Sequence, residues 1–246
     1  MGTPVETSVR PVRPRRRTSV IGVLGEILVT VGVLIALFVL WQVWINNEVA
    51  GATQSAASVD LSEQWAREPV AAPEVEPVVA AEPEHDETFA NLIVPRFGKD
   101  FHRPIGQGVG FDVINDLSQG MGHYEQSQMP GEVGNFALAS HRSAYGGAFH
   151  TVNELELGDA IYVETKDGWY KYLYRNTEYV APSGIGVIEA VPQESDATPT
   201  ERYITLTTCN PLYSSAERII SYGVFDSWYP RADGPPAEIA DIAGGK

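Results

Sequence analysis

The sequence predicts a mainly β domain, either a sandwich or a barrel, carried behind one transmembrane helix. Three observations support this. An uncharged apolar run of nineteen residues, Ile27 to Ile45, lies near the N-terminus; at 1.5 Å rise per residue it nearly crosses a hydrocarbon core of ~30 Å. From Phe89 onward, short alternating apolar runs are separated by Gly, Pro, Asn and Asp, with little helical periodicity. Within that region, Ala160–Thr165 and Trp169–Tyr174 flank Lys166-Asp167-Gly168, and an Asp-Gly pair between alternating segments is a hairpin signal.

In chain order, residues 1–19 carry Arg10, Arg13, Arg15, Arg16 and Arg17 against one acid, Glu6. Arginines before an apolar span keep that end inside, so this tail is expected in the cytoplasm and the remainder outside the cell. Residues 20–45 are the expected anchor, with Trp41 and Trp44 at the far interface, where aromatic belts form. Glu26 sits near the inner end, where snorkelling or protonation lowers its cost. Ala50-Gly51-Ala52 resembles a cleavage site, but the apolar run exceeds the roughly 7–15 residues of a signal-peptide core. An uncleaved single-pass anchor is therefore expected.

Residues 46–88 are expected to be an extracellular linker rich in Ala, Pro and Glu. Pro69, Pro73, Pro77 and Pro83 keep it extended, repulsion among its acids does the same, and only Leu61–Arg67 suggests a short helix. From residue 89 to 232 the composition turns globular. Leu92–Val94, Gly110–Ile114, Phe136–His141, Ala160–Thr165, Trp169–Tyr174, Tyr203–Cys209 and Arg218–Phe225 are the expected strands. Tyr170, Tyr172 and Tyr174 share one face of the hairpin, with Trp169, Lys171 and Leu173 on the other. Phe149–Leu157 is expected to form a turn or two of helix. Residues 233–246 are a Pro- and Gly-containing tail.

Composition excludes several functions. The chain has 246 residues and a formal net charge of −15, which argues against nucleic-acid binding, a task that needs clustered Lys and Arg. A single cysteine rules out an intramolecular disulfide, two-cysteine redox motifs and cysteine-rich zinc sites.

That cysteine, Cys209, ends the β-branched run Ile204-Thr205-Leu206-Thr207-Thr208 and precedes Asn210-Pro211. Proline stops regular pairing, so the thiol falls at a strand end where a loop exposes it. Thiols attack as thiolates, and an imidazolium nearby stabilises the thiolate and later protonates a leaving amine. The five histidines are His85, His102, His123, His141 and His150. Position favours His141, which also closes an apolar strand. Arg218 opens the strand after Cys209, across an eight-residue loop, and antiparallel pairing brings it back beside the thiol. A guanidinium there suits a developing oxyanion or a substrate backbone. Read alone, Cys209 fits a small buried hydrophobe and Arg218 fits an ordinary strand residue paired with an acid.

The run 204–209 with Arg218 resembles the TLxTC…R signature of the sortases, cysteine transpeptidases of Gram-positive cell surfaces. Gly122-His123-Tyr124 and the run from Pro130 to Arg142 are similar to the segment that carries the sortase histidine. The resemblance covers about residues 89–232 and is nearest to class E, through Thr208-Cys209-Asn210-Pro211 and Tyr145-Gly146-Gly147-Ala148-Phe149. Ser140 departs from the glycine common before that histidine. No Asp-Pro-aromatic lid precedes the first strand, which counts against class C. The resemblance implies a closed eight-stranded β-barrel with short helices, and Cys209, His141 and Arg218 as the catalytic residues. It also implies substrate proteins with a C-terminal LAxTG- or LPxTG-like sorting signal, and a peptidoglycan-precursor amine as acceptor. Partners are thus surface proteins, that precursor and the membrane, with no nucleic acid. No metal or cofactor is implied. Thr207, Thr208, Tyr124 and Tyr145 are expected to line the substrate groove, although strand packing explains them equally well. The alternatives are an L,D-transpeptidase, which would place a Ser-His-Gly-type run just before the cysteine, and a non-catalytic surface-binding domain.

Overall fold

The computed structural model describes residues 19–69 and 75–243. The basic tail, with its five arginines, lies outside the described residues, as does the side chain of Trp44. Helix α1 (Val20–Leu40) is long and apolar enough to cross a membrane, and none of its residues is buried. Glu26 is exposed within it. The remainder, from residue 42 on, is a separate compact unit.

That unit is built on eight strands: β1 (Thr88–Ile93), β2 (His102–Gln107), β3 (Met121–His123), β4 (Gly134–Ser140), β5 (Ala160–Thr165), β6 (Gly168–Val180), β7 (Arg202–Asn210) and β8 (Glu217–Pro230). They close into a barrel in the order β1-β2-β3-β4-β7-β8-β6-β5. Pairs β2–β3 and β4–β7 are parallel and the others antiparallel. Alternation sends Leu92, Phe136, Leu138, Ile161, Val163, Tyr170, Tyr172, Ile204, Leu206 and Ile219 into one interior core. The β5–β6 hairpin opposes Thr165 to Gly168 around Lys166 and Asp167. Gly168 has φ +154°, in the region that favours glycine. Tyr170, Tyr172 and Tyr174 point into the barrel, while Trp169 joins an outer cluster.

Three expectations are corrected, the helical turn within Phe149–Leu157 only in its extent. Gly110–Ile114 is not a strand. Phe111–Ile114 is the short helix α3, whose Val113 is buried against β2 at Gly106; a Cβ on Gly106 would lie 2.9 Å from the Val113 side chain. The apolar run there reflects one buried position in a helical turn. Phe149–Leu157 holds only a 3-10 turn, Val152–Glu154, before Gly158 at φ +90° reverses the chain.

The third concerns the linker, read as extended. Residues 46–67 form the 22-residue helix α2 (Asn46–Arg67). Its buried face is Ala50, Gly51, Gln54, Ser58, Ser62 and Trp65, a near four-residue spacing that keeps one helical stripe against the barrel. The stripe is small and polar, and so invisible to hydropathy. It docks through a buried polar knot. The Glu164 carboxylate of β5 accepts from Ser62 Oγ (2.5 Å), Asn91 Nδ2 (3.1 Å), His102 Nε2 (3.1 Å) and Arg231 Nη2 (2.8 Å). Burial alone would raise the Glu164 pKa; the hydrogen bond and charge of His102, the charge of Arg231 and the Ser62 hydroxyl outweigh it and hold it below the usual carboxylate range.

Beyond the undescribed residues 70–74, the segment before β1 runs along the barrel. The Tyr170 hydroxyl donates to the Val78 carbonyl, Gln107 Nε2 to Glu82, and Asp86 N to the Gln107 carbonyl. The C-terminal tail docks Ile239 among Ile93, Ala160, Tyr162 and Trp169. Tyr162 and Lys171 bond Glu238. Helix α2 thus packs on β2 and reaches the loop after β4, where Asn47 and Gln54 donate to the Ser143 and Tyr145 carbonyls. The tail packs on β1, β5 and β6, and the 3-10 turn Ile185–Ile188 sets Val187 against Ile220 and Tyr222 on the outer face of β8.

Candidate active site

On β7 the core takes Ile204 and Leu206, so Thr205, Thr207 and Cys209 face outward. On β8 the core takes Ile219, which leaves Arg218, Ile220 and Tyr222 outward. The register opposes Cys209 to Arg218, Thr207 to Ile220 and Thr205 to Tyr222. Directly opposed residues of antiparallel strands have Cα atoms ~4.5–5.5 Å apart. On β4, Phe136 and Leu138 enter the core, which turns Ala137 and Ala139 outward. The parallel β4–β7 register ends at Ala139↔Thr207. Strand β4 ends at Ser140, whose carbonyl accepts from Thr208 Oγ1 at 2.7 Å, so His141 leaves β4 next to the end of β7 that carries Cys209. The structure thus gathers Cys209, Arg218 and His141 at one end of the barrel. Cys209 is a free, half-buried thiol.

His141 is partly enclosed, and that burial pushes its imidazole below the usual histidine pKa. Its Nε2 lies 2.7 Å from Asn115 Oδ1. The Tyr145 ring sits 5.1 Å from the imidazole, and Tyr145 adopts φ +50° to place it there. Arg218 donates from Nη1 to the carbonyls of Ser215 and Glu217, both at 3.1 Å. It has no ion pair within 4.0 Å among the described residues. Its charge is therefore held by loop carbonyls and not neutralised by the acid expected of an ordinary strand arginine.

The residues expected to line the groove divide by environment. Tyr124 reaches the outer wall and its hydroxyl lies 3.1 Å from Thr207 Oγ1. Tyr145 is partly exposed beside His141. Thr207 and Thr208 are buried, and their hydroxyls donate to the Leu138 and Ser140 carbonyls at 3.0 and 2.7 Å. Both threonines tie β7 to β4. Ser140 is accommodated through a 2.6 Å bond from its hydroxyl to the Gly120 carbonyl.

The other histidines lie elsewhere. His123 is a core residue stacked 4.8 Å from Phe136, its pKa pushed down to about 4 by burial. His102 belongs to the Glu164 knot, and His150 Nδ1 lies 3.1 Å from the Arg142 carbonyl. His85 lies between Asp112 and Glu125, at 2.8 Å from each.

Sequence reasoning missed two residues. Buried Arg142 donates to Asn210 Oδ1, to the Cys209 carbonyl (3.5 Å) and to Asn153 Oδ1 (2.8 Å), bracing the end of β7 against the loop after His141. Its position directly after the histidine was the available signal. Asn115 carried no signal, because only the fold brings it to His141. Among the described residues, no group of three or more His, Cys, Asp or Glu is arranged to hold a metal ion.

A closed barrel that sets a half-buried cysteine opposite an arginine, with a histidine just past the end of the neighbouring strand, suits thiol chemistry, and comparison with known proteins identifies the class. A family profile described as the sortase domain matches residues 92–226. The chain belongs to the sortase family, whose members are cysteine transpeptidases. It is 37% identical over 220 residues to Sortase SrtE1 of Streptomyces coelicolor, covering 87% of this chain and 59% of that protein, so it spans under two thirds of this relative's length. Sortase SrtE2 of the same organism is 31% identical over 222 residues, covering 86% of each chain. The solved structure of the SrtA sortase from Actinomyces oris superposes with a TM-score of 0.64 at 37% identity, covering 69% of this chain and 97% of that one. The class E resemblance of the sequence agrees with the names of the two Streptomyces relatives.

Proposed function

We propose that this chain is a membrane-anchored transpeptidase that joins proteins bearing a C-terminal LAxTG- or LPxTG-like sorting signal to a peptidoglycan-precursor amine. The observation that supports the reading is the Cys209↔Arg218 register, with His141 directly after the end of β4, the strand paired with β7. The Cys209 thiolate attacks the threonine carbonyl of the Thr-Gly bond. Arg218 donates to the developing oxyanion or to the substrate backbone, a role open to a guanidinium that carries no ion pair among the described residues. His141 protonates the departing glycine amine and later accepts the proton of the acceptor amine. Tyr124 and Tyr145 line the extended peptide's path; Thr207 and Thr208 contribute to that groove chiefly by holding β7 beside β4. Helix α1 is the anchor, with the barrel outside the cell.

The test incubates the full chain in detergent with LAxTG- and LPxTG-type peptides and an amine. Wild type is expected to yield the amine-capped product, and Cys209→Ala to yield none. Equal product from both would remove the cysteine from the mechanism. A thiosulfonate probe is expected to label Cys209 in the folded protein.

A further inference from the structure

Helix α3 is placed with care for an element of four residues. Val113 is wholly buried, and Gly106 beneath it has no room for a Cβ, which would meet Val113 at 2.9 Å and Gln119 Cδ at 2.8 Å. Asp112 pairs with His85 at 2.8 Å. The helix ends at Asn115, whose own N–H bonds the Phe111 carbonyl. From that fixed end the side chain reaches 26 residues along the sequence to His141 Nε2 at 2.7 Å. The Tyr145 ring packs against the imidazole, with centroids 5.1 Å apart and planes 30° apart. An acceptor oxygen at Nε2 requires a proton there. A neutral imidazole then carries its lone pair on Nδ1.

We propose that Asn115 is a positioning residue that holds His141 as its Nε2–H tautomer, making Nδ1 the nitrogen that exchanges the reaction's proton. This rests on the transpeptidase reading above and assigns the atoms within it. In acylation the Cys209 sulfur bonds the carbonyl carbon. The C–N bond then breaks as the Nδ1 proton of the imidazolium passes to the leaving nitrogen. The thioester, a free amine and a neutral imidazole remain. In the second half the acceptor nitrogen bonds the carbonyl carbon and its proton passes to Nδ1. The C–S bond breaks with its electron pair returning to sulfur, which restores thiolate and imidazolium. Asn115 stays bonded to Nε2–H throughout, so the ring need not turn between the two transfers. Such a fixed orientation is what preorganised acid–base sites rely on.

The experiment uses the full chain in detergent with its histidines labelled with 15N, and long-range 1H–15N correlation above the His141 titration. Signals of residue 141 are assigned by their loss in His141→Gln. In wild type, Nε2 is expected to be protonated and Nδ1 bare. Asn115→Ala is expected to give tautomer exchange at His141 and to lower kcat by roughly tenfold to a hundredfold with KM for the peptide little changed. Asn115→Asp, which keeps the acceptor oxygen, is expected to restore the Nε2–H pattern and to raise the His141 pKa. A protonated Nδ1 in wild type, or an unaltered tautomer in Asn115→Ala, would overturn the proposal. Either result comes from the spectrum alone and so stands apart from a failure of the transpeptidase reading, which shows as absent product in wild type.

Discussion

Replacing Glu164 by alanine should destabilise the barrel unit while sparing its chemistry. The side chain is fully buried, and its carboxylate is the common acceptor for Ser62, Asn91, His102 and Arg231. Removing it strands the Arg231 guanidinium, whose side chain is 7% exposed, without its counter-charge. Removing one partner of a buried ion pair costs about 3–5 kcal/mol. In a domain of this size each kcal/mol moves Tm by about 2–4 °C, so a fall on the order of 10 °C is expected in thermal unfolding followed by near-UV circular dichroism. Glu164→Gln, which keeps acceptor capacity but not charge, should lie between. The acid limb follows from the same carboxyl. Its pKa is depressed on folding, so its contribution is complete above the ordinary carboxylate value and fades as pH drops through the folded value. Stability of wild type should therefore fall more steeply below pH ~4.5 than that of Glu164→Gln. A Tm change under about 2 °C in Glu164→Ala would refute the assignment of Glu164 as the tie between α2 and the barrel. A loss of transpeptidation at 25 °C in the folded variant would refute the separation of that tie from the active wall.

Two further outcomes are expected. Arg218→Lys retains charge but loses the forked donor geometry, so kcat/KM for the sorting peptide should fall roughly tenfold to a hundredfold, the scale of losing one or two oxyanion donors, with Tm unchanged within a few degrees. His85 is exposed, and its hydrogen bonds to Asp112 and then Glu125 raise its pKa to about 9. Its grip on the segment before β1 is thus complete below pH ~6.5 and lost as pH rises through about 9. Hydrogen exchange at residues 84–87 should quicken across that window in wild type and be fast throughout in His85→Ala.

The strands flanking the site were legible because each pairs an apolar inner row with a marked end. Tyr203–Cys209 and Phe136–His141 come within one or two residues of β7 and β4. Arg218–Phe225 captures only the first part of β8, which continues to Pro230 because the start of β6, Gly168–Lys171, pairs with Ser227–Pro230. Strands β2 and β3 were missed for local reasons. His102–Gln107 contains Pro104 and Gly106, and Met121–His123 spans three residues around Gly122. Helix α2 hid behind composition, because its buried stripe of Ala, Gly, Gln and Ser is shaped for close approach and hydrogen bonding. The juxtaposition of Cys209, Arg218 and His141 could be read from strand ends and loop length. Asn115 could not, since it reaches the histidine across a turn of helix that the sequence presented as a strand.

Helix α2 donates from Asn47 and Gln54 to the Ser143 and Tyr145 carbonyls at 2.9 and 2.8 Å, so the placement of the ring packed on His141 depends on a helix that lies outside every strand of the site.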